Sequence, residues 1–224
     1  MRGIGPEKYS VWSKNMVPRV RAGGGLLPLP FPVCESDAEV MAEVLIIYGS
    51  GEGHTAVVVD HLRHPLETAG HLVRACSVDN APTCPIGYDL VLVGSSIHQG
   101  HHHRAVTRWV KGNAELLGRM PSAFFQVSLS SAGDAAGAVE AERYADDLMR
   151  ATGWRPDVVG LFGGALMYTH YGRVKRTMMK SIAGSTGLDT DVRRDYDYTD
   201  YEDVDRFARE VTALLDPAPH AASA

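Results

Sequence analysis

The chain has 224 residues, 45% of them hydrophobic and 22% charged, which excludes wholesale disorder, collagen-like repeats and a disulfide scaffold. At about 150 residues per domain, this length is one domain with large appendages, or one domain plus a piece too small for its own core. Lys plus Arg number 22 against 27 Asp plus Glu, a net charge of -5, so a nucleic-acid partner is not expected, because phosphate neutralisation needs a cationic surplus.

In chain order, residues 1–41 come first, with Gly23-Gly24-Gly25 and then Pro28, Pro30 and Pro32. Glycine and proline at this density predict a flexible arm, with Met41 standing as an alternative start directly before a strand. Lys8, Lys14, Arg19 and Arg21 interrupt any secretory signal. No run of about 18 apolar residues follows that would span a membrane. Cys34, Cys76 and Cys84 form no CxxC pair, which argues for a reducing cytoplasm and against a structural metal site.

Val44–Tyr48 is a short, branched apolar run, the signature of a strand buried on both faces. A helix is expected over 55–68, with Pro65 kinking or shortening its last turn. Weaker strand character covers 72–78, and a strong strand 90–93. Helical patterns over 104–117 and 135–152 alternate with strands over 123–127 and 158–162. In the last helix Val204, Phe207, Ala208, Val211 and Leu215 share one stripe, and Thr199 with Glu202 reads as a capping box at its start. Alternating strands and helices predict a doubly wound α/β sheet whose ligands bind at the carboxyl ends of the strands. A short C-terminal tail, 217–224, is expected to be disordered.

Three loops at that edge are built from small polar residues. The first comprises Ser50, Gly51, Glu52, Gly53, His54 and Thr55. A Walker-type loop requires Lys where His54 stands, and a dinucleotide fingerprint requires a different glycine spacing. What fits every position is a cradle of amides and hydroxyls for a terminal monophosphate, the helix N-terminus adding partial positive charge. The plain alternative is a tight turn that holds nothing. The second loop comprises Ser95, Ser96, Ile97, His98, Gln99 and Gly100, followed by His101, His102 and His103. Successive histidines point in different directions, so a shared metal ion is not expected. The third runs from Ser128, Leu129 and Ser130 to Asp134.

The first loop resembles the phosphate loop of flavodoxins, and 95–100 resembles their second flavin loop, with Ile97 where an aromatic ring commonly stands. A more extended likeness is to the flavodoxin-type, menaquinone-dependent protoporphyrinogen IX dehydrogenases. It is carried by Ser96-Ile97 with Gly100-His101 and His103, Met120 to Phe124, Trp154-Arg155-Pro156-Asp157, Gly164-Ala165-Leu166 before Tyr168 and Tyr171, and Tyr198-Thr199-Asp200. The resemblance implies a flavodoxin-like fold with a five-stranded parallel sheet of order 2-1-3-4-5 and an insert after the fifth strand. It implies FMN held by Ser50 to Thr55, Ser95 to His98, Gly100 and Ser128 to Ser130. It further implies oxidation of protoporphyrinogen IX, a step of haem biosynthesis, with menaquinone or another quinone as acceptor. His98 and His101 are candidates for proton relay beside the flavin.

In the insert, Arg173, Lys175, Arg176 and Lys180 lie in a stretch without acidic residues, while Val174, Met178 and Ile182 recur at helical spacing. Two readings stand: a basic amphipathic helix touching the membrane surface from the cytoplasm, or a surface helix packed on the sheet. Two other functions remain beside the dehydrogenase: a flavodoxin-type electron carrier or quinone reductase, and a non-enzymatic response-regulator module. The last lacks its acidic cluster, since Gly49 to Gly53 occupy that place.

Overall fold

The computed structural model describes residues 41–185 and 187–215. The arm expected before Met41 and the tail expected over 217–224 lie outside these residues. The chain runs through β1 (Glu43–Gly49), α1 (His54–Thr68), β2 (Leu72–Ser77), β3 (Leu90–His98), β4 (His101–His102), α2 (Arg104–Leu117), β5 (Ser122–Ser128) and α3 (Ala135–Thr152). It continues with β6 (Val158–Gly163), β7 (Ala165–Leu166), α4 (Arg173–Ser185), β8 (Tyr196–Asp197) and α5 (Tyr201–Ala213).

Five parallel strands lie in the order β2-β1-β3-β5-β6, which is the 2-1-3-4-5 order of a flavodoxin-like sheet once β4 is set aside. The apolar runs of the central strands serve two cores because side chains alternate across a sheet. Val44, Ile46, Leu90 and Leu92 face α1 and α5, whereas Leu45, Ile47, Val91 and Val93 face α2 and α3. Deleting one of these buried side chains to Ala costs about 2–5 kcal/mol.

Three local expectations are corrected. β3 does not stop at Val93 but extends to His98 and turns back through β4, pairing Ile97 with His102 and His98 with His101. The connecting residues Gln99 and Gly100 both have positive φ, 51° and 77°, as a two-residue type I′ hairpin requires. The capping box is absent: Asp200 caps α5, its carboxylate accepting from the amides of Glu202 and Asp203. Thr199 instead donates its hydroxyl to the Gly163 carbonyl at 3.0 Å. Pro65 does not shorten α1, which runs on to Thr68 as the span 55–68 anticipated.

The segment after β6 folds as a satellite. β7 and β8 pair antiparallel, enclosing α4, and Leu166, Tyr168, Tyr171 and Ala183 bury a small core of their own. Tyr168 stands edge-on to both Tyr171 and Tyr196. Arg176 ties α4 to the preceding turn, donating from Nε to the Tyr168 carbonyl at 2.8 Å and from Nη2 to the Tyr171 carbonyl at 3.0 Å. Among the described residues no helix is long and apolar enough to cross a membrane.

Candidate functional site

The chain turns from β2 back past β1 to β3, so the sheet's switch point lies between β1 and β3, where strand carboxyl ends leave a crevice. A cleft of about 910 Å³ occupies that position. Its floor is the loop between β1 and α1, its sides are the β3–β4 hairpin and the loop after β5, and its outer wall is α4.

The floor joins small polar residues to the start of a helix. Gly53 adopts the left-handed conformation at φ 91° and leaves the first turn of α1 without a side-chain cap. By contrast, Asp134 and Asp200 each cap their helices with two hydrogen bonds. The first-turn amides of α1 therefore have no side-chain partner, at the helix end beside Ser50 and Thr55 of the cleft lining. Ser50 Oγ shapes the turn by accepting from the Gly53 amide at 2.9 Å. His54 is held to the far side of the insert, Nε2 lying 2.7 Å from Thr199 Oγ1 and 3.2 Å from Asp197 Oδ1. Glu52 turns its carboxylate to the insert, accepting from the Tyr171 hydroxyl and pairing with Lys175 Nζ at 2.6 Å. Burial, reinforced by the Glu52 contact, pushes the Tyr171 phenol well above its usual pKa.

The sides close on one another. His98 lies over the first loop so tightly that a Cβ at Gly51 would stand 1.8 Å from its Nε2. Ser96 Oγ is buried without a hydrogen-bond partner although its residue lines the cleft. An orphaned hydroxyl at a cleft wall is a polar group awaiting a ligand. Gly164 sits against the Ser128 backbone, which a Cβ would meet at 3.2 Å.

The residues expected from the sequence divide as follows. Ser50, Glu52, His54, Thr55, Ser96, Ile97, His98, Ser128, Leu129 and Ser130 line the cleft. Gly51 and Gly53 shape the loop through close approach and backbone conformation. Ser95 is fully buried, its hydroxyl accepting from the His103 amide at 3.1 Å. Ser128 uses its hydroxyl on Ser131. Gly100 and His101 line a second, smaller cavity of about 390 Å³, although His101 is the direct cross-strand partner of His98. His102 donates to the Tyr144 carbonyl at 2.8 Å, and the His103 ring packs on Gly49.

Several further residues line the cleft that were not expected there from the sequence. Tyr144 and Glu140 of α3 reach the rim, and Val174, Met178, Met179 and Ile182 of α4 form the apolar outer wall. Tyr144 beside Glu140 holds that carboxyl below its usual range. Only the stripe on α4 was visible in the sequence, and nothing local said what it faces.

The flavodoxin domain family model matches residues 45–193. Protoporphyrinogen IX dehydrogenase [quinone] of Escherichia coli (strain K12) is 34% identical over 175 residues, covering 78% of this chain and 97% of that protein. The protein of the same name from Leishmania major is 33% identical over 184 residues, 79% of each chain. Among solved structures, a Streptococcus pneumonia TIGR4 flavodoxin aligns at a TM-score of 0.48 and 13% identity, over 78% of this chain and 98% of that one. The matched span and this identity over nearly the whole length of such a relative give one conclusion: the chain belongs to the flavodoxin domain family, among its quinone-linked protoporphyrinogen IX dehydrogenase members.

Proposed function

We propose that this chain binds FMN in the cleft and oxidises protoporphyrinogen IX to protoporphyrin IX, passing the electrons to a quinone at the cytoplasmic face of the membrane. The observation that carries the proposal is the cleft's construction: an anion cradle at one end, an unpartnered Ser96 hydroxyl on the side, and an apolar outer wall. Its volume of about 910 Å³ stands near the top of the range of about 300–1,000 Å³ for small-molecule sites, giving room beside a flavin ring for a large, mainly apolar macrocycle.

In this proposal the α1 amides, Ser50 and Thr55 hold the phosphate, while Ser96 to His98 and Ser128 to Ser130 flank the ring. Bound FMN supplies the two-electron exchange between donor and quinone. Each removal of two electrons and two protons from the porphyrinogen is matched by reduction of one quinone to its quinol. Val174, Met178 and Ile182 exclude water and offer the macrocycle an apolar surface. His98, exposed at the hairpin and facing the cleft, carries protons between substrate and solvent.

Purified protein reconstituted with FMN is expected to be yellow, and to produce porphyrin fluorescence anaerobically from protoporphyrinogen IX when a menaquinone is present. Brisk quinone reduction by another donor, without porphyrin formation, would move the assignment to a quinone reductase or electron carrier.

Membrane contact is part of the same proposal, on narrower grounds than the sequence offered. Lys175 and Arg176 are engaged inside the protein, which leaves Arg173 and Lys180, on the helix face turned from the cleft, to meet anionic lipid. Sedimentation with anionic liposomes at low salt, and its loss in an Arg173→Gln/Lys180→Gln variant, tests this; no sedimentation of the parent protein refutes it.

A further inference from the structure

The phosphate loop contains a residue of the wrong sign. Glu52 lies between Ser50 and Thr55, and its side chain is only 18% exposed. A carboxylate in that position opposes a phosphate dianion, and no Lys or Arg occurs between Gly49 and Thr55 to offset it. The tertiary structure brings a cation from a distant part of the chain. Lys175, in the first turns of α4, places Nζ 2.6 Å from Glu52 Oε1 and 4.7 Å from the centroid of the Tyr171 ring. The Tyr171 hydroxyl donates to the other carboxylate oxygen and is itself fixed by accepting the Met167 amide at 3.1 Å. At the opposite flank of the insert, His54 holds the same loop to Thr199 and Asp197. The loop is thus fastened to the insert on both sides.

We propose that Lys175 is a positioning residue for the cofactor phosphate: by holding and neutralising Glu52 it lets the loop accept a dianion, and so selects phosphorylated flavin over riboflavin. The inference rests on the FMN reading above and deepens it by naming a residue outside the loop that sets this selectivity. Without the ammonium group, the Glu52 carboxylate keeps its Tyr171 contact but stands beside the phosphate with its charge no longer neutralised. Like charges several ångströms apart in a half-buried site cost enough to weaken binding on the order of tenfold. Riboflavin carries no phosphate and is indifferent to the change. Coupling of this kind is reciprocal, so FMN, and not riboflavin, also steadies α4 on the loop.

The test is the dissociation constant of FMN and of riboflavin, read by quenching of flavin fluorescence on binding to wild type, Lys175→Gln, Lys175→Arg, Glu52→Gln and the Glu52→Gln/Lys175→Gln double variant. Lys175→Gln is expected to weaken FMN about tenfold and leave riboflavin unchanged, by the same Coulomb argument. Lys175→Arg keeps FMN, Glu52→Gln binds it at least as well as wild type, and the double variant returns to the Glu52→Gln level. Equal weakening of both flavins in Lys175→Gln overturns the inference, because it shows only a general loosening of α4. So does a double variant as weak as Lys175→Gln, which makes Lys175 a direct phosphate ligand instead. Wild-type protein that takes up no FMN overturns the cofactor reading itself; wild type that binds FMN with an unchanged FMN-to-riboflavin ratio in Lys175→Gln overturns this inference alone.

Discussion

The imidazole of His98 fills the space over Gly51: a Cβ added at Gly51 would stand 1.8 Å from Nε2 and 2.5 Å from Cδ2. Two loops far apart in sequence are therefore in contact because one residue has no side chain and the other is a flat ring. His98 is exposed at the end of the hairpin, so it has room to swing aside. Gly51→Ala is expected to change global stability by less than about 0.5 kcal/mol while lowering FMN affinity, since the displaced ring turns into the cleft. Gly94→Ala is the contrast. There the added Cβ meets the Phe125 ring at 2.2 Å within the core, and overpacking of that kind costs about 1–3 kcal/mol. Chemical denaturation of both variants, with flavin titration, checks the pair; a large stability loss in Gly51→Ala would refute the account.

The start of α5 separates two capping schemes. Asp200 accepts from the amides of Glu202 and Asp203 at 2.9 and 3.4 Å. Asp200→Ala should cost about 1 kcal/mol, and Glu202→Ala less than about 0.5 kcal/mol. The reverse order in denaturant midpoints would restore the box between Thr199 and Glu202.

His102 gives the fold a pH dependence with a definite sign. Burial holds its imidazole below the usual pKa; the Tyr144 carbonyl and Asp147 act in the opposite direction, and His101 adds to the lowering. Nδ1 is buried without a partner, so a second proton has nowhere to be satisfied. With the folded pKa depressed, this contribution to stability is present above the unfolded value of about 6.5 and is lost as pH falls below it, by at most about 1.4 kcal/mol per pH unit. His102→Gln keeps a donor for the Tyr144 carbonyl and cannot titrate. Denaturation midpoints from pH 7.5 down to 5.5 should fall less steeply in that variant; parallel slopes would show that other groups carry the effect.

Arg176 holds α4 through two carbonyls at once, each served by a different nitrogen of the rigid planar fork, whereas a lysine ammonium on a shorter, flexible stem would have to reach both from one point. Arg176→Lys is expected to speed hydrogen exchange over 168–185 by about tenfold, the loss of one charged hydrogen bond of about 1.5 kcal/mol. Amides of β1, β3 and β5 should be unaffected, and uniform acceleration across the chain would mean that the satellite is not a separate unit.

The sequence by itself determined the sheet, most of the helices and the edge on which the site lies. Burial on one face or two leaves a period in the chain: α2 and α3 occur over the spans their apolar spacing marks, and Val44–Tyr48 reads as a doubly covered strand because its alternate residues feed two cores. Loops of small polar residues after three strands likewise declare themselves, since strand ends of a doubly wound sheet converge. Tertiary structure alone decided what each face meets. Arg173, Lys175, Arg176 and Lys180 form one basic group along the chain, yet Lys175 neutralises Glu52, Arg176 binds carbonyls, and the apolar stripe between them lines the cleft. Helical period says which residues share a face and nothing about a partner more than a hundred residues away. The same limit moved the α5 cap by one residue: the Thr199 hydroxyl is turned to the Gly163 carbonyl and to His54, and the Asp200 carboxylate takes the first-turn amides.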